Sequence, residues 1–404
     1  MLYRLVRPVA RYVLGYYFRN IDITGLENIP SDKPVILAAN HPTAFIEPCL
    51  LACFQERPLH FLARGDLFVN RLATAVLRAL NILPVYRLKD GGYKKLTRNY
   101  ATFEDCYRVL HRRQALMILA EGRCIHEKRL RPLRKGTARI ALGALVDMNF
   151  PEEVYIIPVG VNFVAAERFR TSVAIHCGQP IYTSNYLDAY RDNEARAIQS
   201  LTDELRRRLE TMVVQFPDPA FDADYEAALE VTRHTIAPRL TGLTHSGAPL
   251  EIAHQTARRV DPLDRSIPDF VERLRREHVT VEQLVAARWG VDFPVLSLPA
   301  LLVVIPQLPL WLISELVARI GTNTIEFYSP VRFAAMAVGT LLYLPLLFVL
   351  SWPGKLYLLV SVVGTNWALR QLERLKLWWG ARRAKTLGPA MYQELIQLQQ
   401  ELVQ

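Results

Sequence analysis

The chain has 404 residues, enough for two or three domains at about 150 residues each. Its 49 Lys and Arg against 39 Asp and Glu give a net charge of +10, and 51% of its residues are hydrophobic. That composition excludes a disordered or fibrous chain, and five cysteines without a Cys-x-x-Cys pair exclude a disulfide scaffold or zinc knuckle and point to a reducing compartment.

Residues 1–20 come first in chain order. At about 100° per residue, Arg4, Arg7 and Arg11 share one helical face, while Leu2, Val6, Val9, Val13 and Tyr16 share the opposite one. The pattern suits a basic helix lying on a membrane surface and, equally, a helix packed on the next domain. The arginines interrupt any signal-peptide core, and no small-residue cleavage pattern follows.

From residue 21 to 215, short apolar runs alternate with helical patterns. Pro34–Ala39, Leu59–Ala63, Ile82–Tyr86, Ala115–Ala120, Val154–Val164 and Ser172–Cys177 read as strands. Phe103, Cys106, Tyr107 and Leu110 repeat at helical spacing, as do Ile198, Leu201, Leu205, Leu209 and Met212. This alternation predicts an α/β domain with a central sheet flanked by helices.

Catalytic groups on such folds gather where strands end. The strand ends here hold Asn40-His41-Pro42 with Glu47 beyond it, Arg64-Gly65-Asp66, Arg87, Glu121-Gly122-Arg123, Lys135-Gly136-Thr137 and Pro158-Val159-Gly160. A histidine beside a carboxylate is the usual arrangement for activating a hydroxyl. On one helix His41 and Glu47 would point about 240° apart, so they meet only if His41 sits on a loop before a helix starting near Thr43. Alone, the pair reads as a structural histidine; among the other strand-end motifs it reads as catalytic. There is no Gly-x-Ser-x-Gly, and Cys124 has no obvious partner, which favours direct attack by a substrate hydroxyl. His60, His111, His126 and His176 are scattered, so no metal site is expected. Residues 127–137 deliver five basic side chains into a Gly-Thr helix start, a phosphate-attracting pattern whose plainer reading is a solvated basic loop. No aromatic stacking pattern accompanies the basic residues, so nucleic acid is not an expected partner.

A boundary follows at Phe216–Phe221, and residues 222–292 read as a polar helical extension broken by a loop over Thr241–Leu250. Residues 293–404 hold the apolar excess. Residues 293–314 and 333–354 carry no Asp, Glu, Lys or Arg and are long enough to cross a membrane; residues 356–369 form a shorter uncharged run. The second run is the best candidate for a single membrane helix, and four prolines make one straight helix doubtful in the first. Arg370, Arg374, Lys376, Arg382, Arg383 and Lys385 then predict a basic cytoplasmic tail, with the catalytic domain on the cytoplasmic face of the cytoplasmic membrane and anionic lipids as partners.

The blocks Asn40-His41-Pro42, Leu62–Phe68, Leu83–Arg87, Ala120–Arg123, Leu130–Ala138 and Ile157–Gly160 fall in the order of four motif blocks of the glycerolipid acyltransferases, and residues 21–180 resemble that family. The resemblance implies transfer of an acyl chain from a thioester, acyl-CoA or acyl carrier protein, to the hydroxyl of glycerol-3-phosphate or lysophosphatidate, with no bound cofactor. It implies His41 as general base and Glu47 as the residue orienting it. Glu121, Gly122 and Arg123 would lie in the acceptor site, and Arg64, Arg87 and Lys135, with Gly136 at the helix start, would meet phosphate. Pro158 and Gly160 would shape the acyl or carrier side. This chain departs from the family pattern in two places. Its acid is Glu after a five-residue gap rather than Asp, and Cys124 stands where the family's Arg usually does, with the Arg at 123. The second departure directs the phosphate contact to Arg64 or residues 129–135, or else to an acceptor without phosphate, such as an amino-acid-derived lyso-lipid. A non-catalytic lipid-binding membrane protein is the remaining alternative.

Overall fold

The computed structural model describes residues 2–86, 98–147, 153–234, 241–343 and 345–403. Its centre is a mixed sheet of nine strands: β1 (Asn20–Thr24), β2 (Val35–Ala39), β3 (Leu59–Arg64), β4 (Ile82–Val85), β5 (Ala115–Leu119), β6 (Tyr155–Phe163), β7 (Ser172–Cys177), β8 (Ile181–Tyr182) and β9 (Gly242–Thr244). They run in the order β4-β3-β5-β2-β6-β7-β1-β9, with β8 paired to β6. The pairs from β4 to β6 are parallel; β7 and β8 are antiparallel to β6, and β1 pairs parallel to both β7 and β9.

β2 sits in the middle and is buried throughout, which explains its continuous apolar run. Its side chains alternate between two cores, as the pleat requires. Val35, Leu37 and Ala39 join the helices Leu2–Tyr17 and Ile46–Phe54 on one face. Ile36 and Ala38 join the helices Arg98–His111, Gly136–Asp147 and Glu194–Glu210 on the other. The N-terminal helix therefore packs on the sheet: Val13, Leu14, Tyr16 and Tyr17 are buried, Arg7 donates to the carbonyls of Gln55 and Glu56, and Arg11 lies over Phe54.

The loop expected over Thr241–Leu250 contains β9, which extends the catalytic sheet. Asp22 fixes this strand from the neighbouring β1: its carboxylate accepts from Thr244 Oγ1 and from the backbone N–H groups of Ser246 and Gly247. The basic residues 370–385 lie on the far half of a 34-residue helix, Trp352–Lys385, followed by the helix Pro389–Val403. Leu395, Leu398 and Leu402 of the last helix pack with Val231, Phe270 and Leu274 of the extension, making a third core.

The apolar C-terminal segments form two helices long and apolar enough to cross a membrane by length and composition, Ser297–Gly321 and Ile325–Val349. The first carries a tight turn at Ile305–Gln307, where Pro306 and then Pro309 interrupt the regular helix. The second uncharged run is not one helix. Its described residues fall in Ile325–Leu342, Leu346–Val349 and the start of Trp352–Lys385, with an interruption at Leu350 and Ser351. One face of this bundle belongs to the catalytic core: Phe333 and Met336 are buried with the sheet residues, and Tyr17 packs edge-on against Phe333. The opposite face leaves Leu298, Leu312, Ile313, Val349 and Val363 exposed.

Candidate active site

The site lies at the C-terminal end of β2. Asn40 ends that strand and clamps it to β6, donating from Nδ2 to the Val161 carbonyl (2.9 Å) and accepting the Val161 N–H (2.8 Å). The chain then turns through His41-Pro42-Thr43 before the helix Ile46–Phe54 begins. His41 thus stands on a loop before the helix, the arrangement its spacing from Glu47 requires.

Glu47, in the first turn of that helix, is fully buried. Its carboxylate reaches back to Thr43, accepting from the backbone N–H (2.5 Å) and from Oγ1 (2.8 Å). Thr43 Oγ1 also accepts the Ile46 N–H, so this threonine holds the first helical N–H and the acid together. His41 Nδ1 lies 3.8 Å from Glu47 Oε1, within ion-pair reach but longer than a hydrogen bond, and has no hydrogen-bond partner. Thr43 stands four residues before Glu47, on the loop that leads into the helix, a spacing visible in the sequence.

Glu121 lies beside the His41 loop. It is buried and ties the loops together, accepting the His41 backbone N–H (3.3 Å) and the Arg131 N–H (3.1 Å). Burial raises its carboxyl pKa, and these two N–H groups pull it back. Gly122 has φ +72°, and a side chain there would collide with Arg134, which covers it. Arg123, Arg134 and Lys135 are exposed around this turn, with Gly136 opening the helix Gly136–Asp147. Arg64, at the end of β3, is exposed and donates from Nε to Asp66 (3.1 Å). Arg87 lies outside the described residues.

The rest of the basic loop is spent internally. Lys128 pairs with Glu226, Arg129 with Glu127 and Asp222, and Arg131 with Glu127. Two of these acids belong to the extension, so most of the expected phosphate loop is a seam between two parts of the chain. Pro158 and Gly160 are buried inside β6, where a side chain at Gly160 would meet the Met212 backbone, so close packing requires glycine there.

Cys124 borders the same region, but burial and the nearby Glu326 and Glu47 raise its thiol pKa. That disfavours a thiolate nucleophile. The helix beginning at Ile325 reaches the site directly, since the Glu326 carbonyl accepts the Ala44 N–H (3.1 Å). Behind the loop, a small cavity is lined by Pro42, His126, Lys128, Val161, Phe163 and Val214.

Residues 20–162, which contain the whole His41–Glu47 arrangement, match the family model described as Acyltransferase. Two curated relatives from Saccharomyces cerevisiae are similar over the same part of the chain. Glycerol-3-phosphate O-acyltransferase 2 is 26% identical over 127 residues, 31% of this chain and 17% of that protein. Glycerol-3-phosphate O-acyltransferase 1 is 30% identical over 132 residues, 30% of this chain and 17% of that protein. An uncharacterised acyltransferase of Schizosaccharomyces pombe is 27% identical over 296 residues, covering 52% of this chain and 44% of that protein. The chain thus spans less than half the length of each of these curated relatives. The crystal structure of the 1-acyl-sn-glycerophosphate (LPA) acyltransferase PlsC from Thermotoga maritima is similar at 17% identity over 51% of this chain and 80% of its own, with a TM-score of 0.36, too distant to carry an argument. Motif order, sheet and matched domain agree: residues 20–162 form an acyltransferase domain, similar in sequence to the glycerol-3-phosphate O-acyltransferases.

Proposed function

We propose that this protein transfers an acyl chain from a thioester, on coenzyme A or acyl carrier protein, to the hydroxyl of glycerol-3-phosphate or lysophosphatidate at a membrane face. The observation that carries this reading is His41 Nδ1 facing the buried Glu47 at the end of β2. With the carboxylate on the Nδ1 side, that nitrogen keeps its proton and Nε2 accepts one. The acceptor hydroxyl gives its proton to Nε2 as its oxygen attacks the thioester carbonyl. The tetrahedral intermediate then expels the thiolate, which takes the proton from the imidazolium. The Glu47 carboxylate steadies that imidazolium.

Exposed Arg64, Arg123, Arg134 and Lys135 near the 121–124 turn favour an acceptor bearing phosphate. The exposed apolar face of the C-terminal helices favours seating in lipid, the source of the acceptor or the destination of the product.

Purified protein, supplied with acyl-CoA or acyl carrier protein donors and a panel of acceptors read by lipid mass spectrometry, tests the reaction. Acylation of a phosphate acceptor is the expected result; acylation only of phosphate-free lyso-lipids reassigns the acceptor, and no thioester consumption removes the enzyme reading. His41→Ala should lose about 10²–10⁴-fold in turnover while the protein still folds, since general base catalysis typically contributes that much. Near-normal turnover in that variant would sink the mechanism. Glu47→Asp should retain more activity than Glu47→Gln because it keeps the charge; equal loss would mean reach outweighs charge.

A further inference from the structure

A second, larger cavity of about 140 Å³ lies at the seam between the catalytic sheet and the helical extension. Phe163, Val173 and Val214 form one wall, and Leu229, Ile252 and Ala253 form the other, on the helices Asp222–Thr232 and Ala248–Arg259. At roughly 10–15 Å³ per water-sized group, the space holds about ten such groups, the size of an alkyl segment rather than a few waters. It shares Lys128, Asn162, Phe163 and Val214 with the small cavity behind His41 but contains neither His41 nor Glu47.

One end of the cavity is charged. Arg19 is held by Glu282, Lys128 by Glu226, and the neighbouring Glu230 by Arg275. Arg233 also lines the cavity, and these three acids are the carboxylates that act on it. Each is already paired, and among the described residues none comes within ion-pair distance of Arg233. His234 beside it is held neutral by burial, its pKa lowered to about 4, so it adds no positive charge of its own. A guanidinium whose three nearby carboxylates are each held by another cation gains from a ligand that brings an anion of its own.

We propose that this cavity binds a single-chain anionic amphiphile, its alkyl chain among Phe163, Val173, Val214, Leu229 and Ile252 and its head group on Arg233. A carboxylate and a phosphate offer the same bidentate partner to a guanidinium, so a fatty acid and a lysophosphate are both sources of that chemistry. The site needs no acyl transfer and does not rest on that reading. Because its walls come from the sheet and from the extension, an occupant bridges the two.

The test is photolabelling of the full-length protein in neutral-lipid vesicles with a diazirine-bearing dodecanoate, mapped by mass spectrometry. Label is expected on the helices Asp222–Thr232 and Ala248–Arg259. Dodecanoate and dodecyl phosphate should compete at least about tenfold better than dodecanol, since a charge-assisted hydrogen bond is worth about that factor or more. Either anion competing alone supports the site and assigns its head group. Arg233→Gln should erase the preference, Arg233→Lys should keep part of it, and His41→Ala should label as the unsubstituted protein does. Ala253→Trp, which fills the apolar end, should abolish labelling in protein whose thermal unfolding shows it folded. The proposal is overturned if dodecanol competes as well as the anions, if the label maps elsewhere, or if His41→Ala removes it. Should Arg233→Gln fail to fold, discrimination by the unsubstituted protein still decides. Labelling that persists in a protein without acyl-transfer activity separates this site from the proposed reaction.

Discussion

Thr43 carries more of the site than its size suggests. It is the hydrogen-bond donor to both oxygens of the buried Glu47, so the acid that faces His41 is aimed by a neutral side chain one turn away. Thr43→Val keeps the shape and the backbone bond but removes the hydroxyl. It should lower kcat by about tenfold, the worth of one hydrogen bond to a buried carboxylate, with KM little changed, while Thr43→Ser retains most of the rate. Equal loss in both variants would assign Thr43 to packing. His234 supplies a second residue-scale expectation. Burial lowers its pKa from 6.5 to about 4. The unfolded chain takes up a proton near pH 6.5 that the native state refuses until about pH 4, so this residue's contribution to stability is present above 6.5 and lost as the pH falls. Thermal unfolding at pH 7 and pH 5 should show a smaller loss for His234→Gln than for the unsubstituted protein.

Among the elements, the C-terminal helices are the least separable. Phe333 and Met336 lie in the same core as Leu37 and Val159 of the sheet, and Tyr17 hydrogen-bonds Ser329 Oγ at 2.7 Å. These helices are therefore part of the catalytic fold on one face and an apolar surface on the other. Phe333→Ala should cost about 3–5 kcal/mol, as expected for a large aromatic removed from a core, and lower the unfolding midpoint of the catalytic domain. A transition unchanged by this substitution would mean that the helices only rest against the domain. β1 and β9 show what element reading misses. Asn20 and Asp22 are polar, yet both are buried because Gly242, Thr244, Ser246 and Gly247 satisfy them from more than two hundred positions away. A strand of three residues such as β9 carries no local signal of its own; its partner specifies it.

For the whole molecule, charge and apolar surface separate. The loop Lys128–Arg131 binds the extension to the catalytic domain through Glu226 and Asp222, while Arg123, Arg134 and Lys135 remain exposed at the site. The exposed side of the C-terminal helices presents Leu312 and Ile313, 70% and 60% exposed. Leu312→Glu with Ile313→Glu should release the protein from vesicles in flotation without lowering its thermal stability, because neither residue packs inside the fold. Retained flotation would place the lipid contact on another surface.

The alternation of strands and helices, the order of the motifs and the loop placement of His41 were legible in the sequence. Each is set by side-chain periodicity or by residues a few positions apart. The C-terminal apolar excess was equally legible, since composition alone reports it. What tertiary structure decided was the use of each group. It assigned Glu121 to stapling the His41 loop and Gly160 to packing on Met212, and it spent the cations at 128–131 on acids of the extension. It also gave one face of the apolar helices to the catalytic core. Ion pairing and burial depend on which distant residues arrive at the same place, and no local pattern encodes that.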